Sequence, residues 1–264
     1  MARLLSMPTG GKNLAALAKQ MVVTPAPAGS RPQLVPLVPS VKLKNFRQKD
    51  PVNESAESKY SQIRLQVVAR DRYTCQYCKF TTRPDRNAGS NTLLASGYLE
   101  AHHIDDDHMK NVPNNLITIC PFCHMIYHLG FAAHNDRFIM IYFPWLKQEQ
   151  INLMVNCLGV AIHRGGHTGE QAARMLQWLI EHKAKVHKNI GPILADPINL
   201  AASLGKLGRS NPDLYANRHE ALANIRFIPK LREFKDPIKY WAASGWLFKN
   251  WEQAWENVYE QWAA

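Results

Sequence analysis

Apolar positions recur at helical spacing only after about residue 54. Tyr60, Ile63, Val67 and Val68 fall roughly on one face and predict a helix from Ser55. Tyr73 to Phe80 predicts a short hairpin, with C-Q-Y-C at 75–78 in its turn. Residues 83–97 are rich in Gly, Asn and Ser and read as loop. Leu99 to Ile104 reads as a strand and Asp105 to Asn115 as a polar loop. Leu116 to Ile119 is short and apolar, and a helix begins near Pro121. Phe138 to Phe143 is β-like and Pro144 ends it. Gln148 to Ile162 follows as a helix with Ile151, Met154, Val155, Leu158 and Ile162 as its buried stripe. Gly165-Gly166 stops it.

Beyond that point the pattern is helical. Glu170 to Lys185 carries Ala173, Leu176, Leu179 and Ile180 at helical spacing. Ile190 to Leu207 reads as short pieces broken by Pro192, Pro197 and Gly205, and Pro212 to Ala223 as another helix. Ile225, Phe227 and Ile228 precede Pro229 and a basic stretch from Lys230 to Lys239. Trp241 to Trp262 holds five of the seven Trp, with Trp251, Trp255, Tyr259 and Trp262 on one helix face. That face suits packing on its own domain or docking on a partner. The expected architecture is α+β in three parts: 1–54 a disordered Pro-rich basic tail, 55–165 a domain built around the stretch from Cys75 to His128, and 166–264 a helical region with an aromatic terminal helix.

Composition changes this picture in two places. Seven Pro fall between Pro8 and Pro51 with no apolar period, as expected of a solvated leader. Charge is concentrated there too. Residues 1–50 carry eight Lys or Arg against one acid, Asp50, whereas residues 51–264 carry 24 basic and 20 acidic side chains. The folded part is mildly basic and does not read as a surface built around phosphate. No run of 18 apolar residues occurs, so no transmembrane helix is expected. Lys19 interrupts any apolar core after Leu14–Leu17, so a secretory signal is not expected.

The candidate chemistry lies between Cys75 and His128. Cys75 and Cys78 form one C-x-x-C turn, and Cys120 and Cys123 another. Two such turns complete a tetrahedral Cys₄ set, which suits a closed structural Zn²⁺ site. Thiolates at this spacing fit a metal in a reducing, cytoplasmic compartment better than a disulfide framework. Cys157 stands alone in an apolar helix and reads as a small hydrophobe. His124 and His128 are four apart on the expected helix and project from one face. With His102 they can hold a second divalent metal, such as Mg²⁺, Mn²⁺ or Ni²⁺. On a strand His103 points to the side opposite His102. Asn115 can hydrogen-bond His103 or a backbone group. Asp105, Asp106 and Asp107 follow the His pair and would repel a phosphodiester unless one of them joins the metal.

E-A-H-H-I at 100–104, N-N-L at 114–116 and C-P-F-C-H-M-I-Y-H at 120–128 together resemble the HNH, or ββα-metal, nuclease motif, over residues 70–128. The resemblance implies His103 as general base, Asn115 beside it, and His102, His124 and His128 as metal ligands. A divalent ion there would stabilise the phosphate transition state, and an imidazole suits the base role.

Three further stretches resemble a narrower family, over about residues 58–243. They are R-D-R-Y-T-C-Q-Y-C-K-F at 70–80, M-I-Y-F-P-W-L-K-Q-E-Q-I-N-L-M-V-N-C-L-G-V-A-I at 140–162 and N-I-R-F-I-P-K-L-R-E-F-K-D-P-I-K-Y-W-A at 224–242. Together they are similar to the DotN/IcmJ family of type IVB secretion and conjugation systems. That likeness implies a cytoplasmic subunit of a coupling complex, attached to the inner-membrane machinery through partners. Its HNH-like fold would serve as a zinc-stabilised scaffold that docks a segment of the coupling ATPase. Three functions are therefore weighed. The first is a structural adaptor, the second an active HNH endonuclease working on DNA, and the third a non-catalytic nucleic-acid binder reliant on the basic tail.

Overall fold

The computed structural model describes residues 34, 36–43, 54–105 and 110–244. Most of the Pro-rich leader, Asp106 and Asp107, and the aromatic face from Trp251 to Trp262 lie outside the described residues.

Helix α1 (Glu54–Arg70) lays Val67 and Val68, both fully buried, toward the rest of the chain. It is fastened by two arginines rather than by apolar contact alone. The buried Arg64 guanidinium donates to the Leu99 carbonyl and to Ser96 Oγ. Arg70 grips Asp71 through two 2.9 Å bonds and reaches the carbonyls of Pro113 and Leu116. Asp71 in turn accepts from the Thr118 amide. A paired, hydrogen-bonded charge of this kind tolerates burial.

The C-Q-Y-C stretch turns back on itself between Thr74 and Thr81, with the Cys75 amide on the Phe80 carbonyl. Asn91 caps a single helical turn, α2 (Thr92–Ala95), inside the expected loop. Strand β1 (Glu100–His103) then pairs antiparallel with β2 (Leu116–Ile119), placing His103 opposite Leu116. Helix α3 (Pro121–Tyr127) follows at once, with Cys120 as its N-cap, and α4 (Leu129–His134) continues after a break at His128.

Strand β3 (Phe138–Tyr142) does not pair with its neighbours in sequence. Its partner is β4 (Ile225–Pro229), antiparallel, with Met140 opposite Phe227. Between them run α5 (Gln148–Arg164), α6 (Gly166–Glu181), α7 (Val186–Leu194), α8 (Pro197–Ser210), α9 (Pro212–Ala216) and α10 (Arg218–Ala221). Helix α11 (Lys235–Ala243) returns to pack on α5. The sheet β3–β4 thus joins residues from both sides of position 165, and one apolar core runs from Leu37 to Trp241. Among the described residues no helix is long and apolar enough to cross a membrane.

Three local readings are corrected. On α6 the buried positions are Ala172, Met175, Trp178 and Leu179, one step away from the expected Ala173, Leu176 and Ile180. The close crossing with α5 sets this rotation: a Cβ at Gly169 would sit 3.0 Å from the Ala161 carbonyl. Helix α8 runs unbroken from Pro197 through Gly205 to Ser210. At Gly208 a Cβ would meet the Leu43 side chain at 2.8 Å.

The third correction concerns the leader. Residues 37–42 are packed rather than solvated, between an exposed Pro36 and an exposed Leu43. Leu37, Pro39 and Val41 alternate inward along an extended run, a period of two that the prolines obscure. Ser40 bonds the Ile126 carbonyl and the Leu129 amide across the α3–α4 junction, and Arg218 holds the Pro39 carbonyl and Ser40 Oγ.

Candidate metal centre

The four cysteines arrive from two places. The turn after α1 brings Cys75 and Cys78, and the N-terminus of α3 brings Cys120 and Cys123. All four are buried, and their sulfurs lie within 4.8 Å of one another. No disulfide links them. At Cys75 burial is outweighed by hydrogen bonds from the other three cysteines, which hold the thiol well below its ordinary value, whereas burial pushes the Cys78 and Cys123 thiols well up. A divalent cation reverses that preference, since it binds the thiolates.

The donor set tests the fit. Asn152 and Asn156, both fully buried on α5, aim their amide N–H groups at sulfur. Asn152 Nδ2 lies 3.2 Å from Cys123 Sγ and Asn156 Nδ2 lies 3.7 Å from Cys120 Sγ. Amides pointed at sulfur suit metal-held thiolates, so the site fits a tetrahedral ion such as Zn²⁺.

A second cluster forms on the other side of Tyr127. His102, His124 and His128 bring their ring nitrogens within 4.8 Å of one another, with the His124 and His128 Nε2 atoms 3.0 Å apart. Glu100, two residues before His102 on the same face of β1, bonds His124 Nδ1 and leaves Nε2 facing the cluster. This carboxylate–imidazole arrangement is the usual orienting partner of a metal-bound His. Tyr127 stacks on His102 at 4.2 Å and shares a 2.6 Å hydrogen bond with Tyr77, a residue inside the first Cys turn. The two clusters are thus linked through one tyrosine pair.

His103 faces the opposite layer. Its ring stacks on Tyr60 of α1, and Nε2 lies 2.8 Å from Asn111 Oδ1. Asn115 does not make that bond. It takes the backbone alternative, donating to the Lys110 carbonyl and accepting from the Asp105 amide, and so closes the ends of the β1–β2 loop. Asp105 pairs with Lys110 at 3.0 Å.

Burial holds His102 well below, and His128 below, the ordinary imidazole value of 6.5, with the nearby His124 and then Lys42 adding repulsion. Both imidazoles are therefore neutral in the fold. The unfolded chain binds more protons than the folded one below pH 6.5, so stability falls on acidification from that value downward. Each fully linked imidazole contributes a slope of about 1.4 kcal/mol per pH unit. Denaturation midpoints between pH 7.5 and 5.5 are expected to fall more steeply for wild type than for His128→Gln. Parallel profiles would contradict this.

The chain is similar to the type 4 apparatus protein DotN of Legionella pneumophila. The two are 25% identical over 191 residues, which cover 71% of this chain and 81% of DotN. No protein-family model matches the chain.

Several residues of these sites escaped the sequence reading. Glu100 was visible two positions before His102, on the same strand face. Asn152 and Asn156 were visible as Q-x-x-x-N-x-x-x-N from Gln148, a polar row inside a buried helix. Asn111 left no signal, because only the folded loop brings it to His103.

Proposed function

We propose that this chain is a zinc-clamped structural subunit of a type IV secretion apparatus, serving as a scaffold that docks a segment of a coupling ATPase. The observation that carries this reading is the similarity to DotN, which extends over most of both chains rather than over the Cys and His positions alone. The buried Cys₄ set supports it. Four thiolates around one ion leave no open position, so their work is to hold the first Cys turn against α3 and α5. Localisation beside an inner membrane follows from the partner. The experiment is co-elution of the purified chain with the cytoplasmic part of the coupling ATPase from its own system. A stable complex in size-exclusion chromatography is the expected result, and two separate peaks at micromolar concentration would overturn the docking reading.

A second reading rests on a specific observation, the three imidazoles converging beside Glu100. In a ββα-metal nuclease, His102, His124 and His128 would hold a divalent ion and His103 would act as base. Against it, His103 is buried with Nε2 engaged by Asn111, and Asp105 stands at the start of the loop. Plasmid nicking with Mg²⁺, Mn²⁺ or Ni²⁺ is expected to be absent, or equal in wild type and His103→Ala. Metal-dependent nicking lost in His103→Ala would make the nuclease reading the better one.

A further inference from the structure

Helix α5 carries a row of buried amides that its apolar stripe does not explain. Gln148 locks onto strand β4 by both ends, donating from Nε2 to the Phe227 carbonyl at 2.9 Å and accepting the Phe227 amide on Oε1 at 2.9 Å. Nε2 also donates to Asn152 Oδ1 at 2.8 Å. That bond fixes the Asn152 amide with its N–H side toward Cys123 Sγ. One turn on, Asn156 Nδ2 donates to the Asn152 carbonyl at 3.0 Å and points at Cys120 Sγ. Its Oδ1 is buried with no partner.

Burying an amide without partners is costly. A neutral thiol is a weak acceptor and offsets little of that. A metal-bound thiolate carries charge, and bonds to ionised acceptors are roughly twice as strong. Turning the Asn156 amide over would bring its carbonyl oxygen to the sulfur. It would also set that oxygen against the Asn152 carbonyl, so the backbone bond holds the amide with its N–H side toward Cys120, where a thiolate is the better acceptor.

We propose that Asn152 and Asn156 are positioning residues of the Cys₄ centre. They donate to Cys123 and Cys120 as metal-bound thiolates, and through Gln148 they tie the metal to strand β4. This rests on the zinc reading above. It adds that the second Cys turn receives amide donors from α5 that stabilise the negative charge on its thiolates.

The test uses the full chain loaded with cadmium-113, whose nuclear spin couples to protons across hydrogen bonds to bound sulfur. Folded wild type is expected to show cadmium coupled to the Cβ protons of all four cysteines and to one side-chain amide proton each of Asn152 and Asn156. Cadmium coupled to the cysteines but to neither amide would overturn this inference and leave the metal reading standing. A folded chain that takes up no cadmium would overturn both. In zinc-loaded Asn152→Leu and Asn156→Leu, zinc release to a chromophoric chelator is expected to be about 10- to 100-fold faster than in wild type. Wild-type release rates in a folded variant would count against the proposal. If neither variant folds, the wild-type cadmium spectrum decides alone.

Discussion

Cys120→Ser is expected to yield a chain that neither holds zinc nor keeps its tertiary structure. The magnitudes make this the largest single-residue effect. A structural Zn²⁺ site contributes about 10–16 kcal/mol in zinc-finger peptides, whereas a whole domain is stable by only about 5–15 kcal/mol. Cys120 is also the N-cap of α3, with its sulfur accepting the Cys123 amide, and it receives Asn156 from α5. Losing one thiolate therefore loosens three elements at once. The same outcome is expected when a strong chelator is added to wild type. The check is near-ultraviolet circular dichroism together with metal content. A Cys120→Ser chain with a native spectrum and a melting midpoint within a few degrees of wild type would show that the thiols pack without metal. Cys157→Ser serves as the control, since Cys157 lies outside the sulfur cluster.

Trp241→Ala is expected to cost about 3–5 kcal/mol, the range for removing a large aromatic from a core. Trp241 is fully buried on α11 and closes the molecule on itself. Its ring packs against Phe80 at 4.6 Å and Phe122 at 6.1 Å between centroids, that is, against residues beside both Cys turns. Its Nε1 donates to the Gly97 carbonyl at 2.9 Å, a contact 144 residues distant in sequence. Trp241→Phe keeps most of the apolar volume and loses the N–H bond, so a smaller loss of about 1–2 kcal/mol is expected. Urea denaturation of the two variants separates packing from hydrogen bonding. Equal losses in both would mean that the indole N–H, and not the ring volume, carries the contact.

The sequence reveals this molecule where a local period exists. β1, β2, the start of α3, β3 and α5 all stand where their patterns put them, because each buries one face over a few residues. The pairing of β3 with β4 is a different matter. Ile225, Phe227 and Ile228 are visibly apolar, yet their partner strand lies most of a domain away, and alternation does not say which strand a strand meets. The same distance hides Gln148, which bonds Phe227 from 79 residues away. The leader segment misleads for a chemical reason. Prolines at 36 and 39 suggest a solvated polyproline run, and the inward alternation of Leu37 and Val41 shows only once a groove beside Tyr215 and Ile126 exists to receive it.

The site divides in the same way. Cysteine spacing alone placed Cys75, Cys78, Cys120 and Cys123 together, and strand and helix periods placed His102 with His124 and His128. What spacing does not give is the company these residues keep. Glu100 orients His124, Asn111 occupies His103, and Asn115 serves the loop rather than the base. These partners leave the Cys centre firmly built and the His pair divided between two layers.

Native mass spectrometry of the wild-type chain, with its mass taken before and after denaturation in acid, shows whether the Cys₄ centre holds a metal in the folded protein. The folded chain is expected to be heavier by one zinc ion, lost on unfolding and absent from Cys120→Ser. A folded wild-type chain whose mass is that of the polypeptide alone would contradict this.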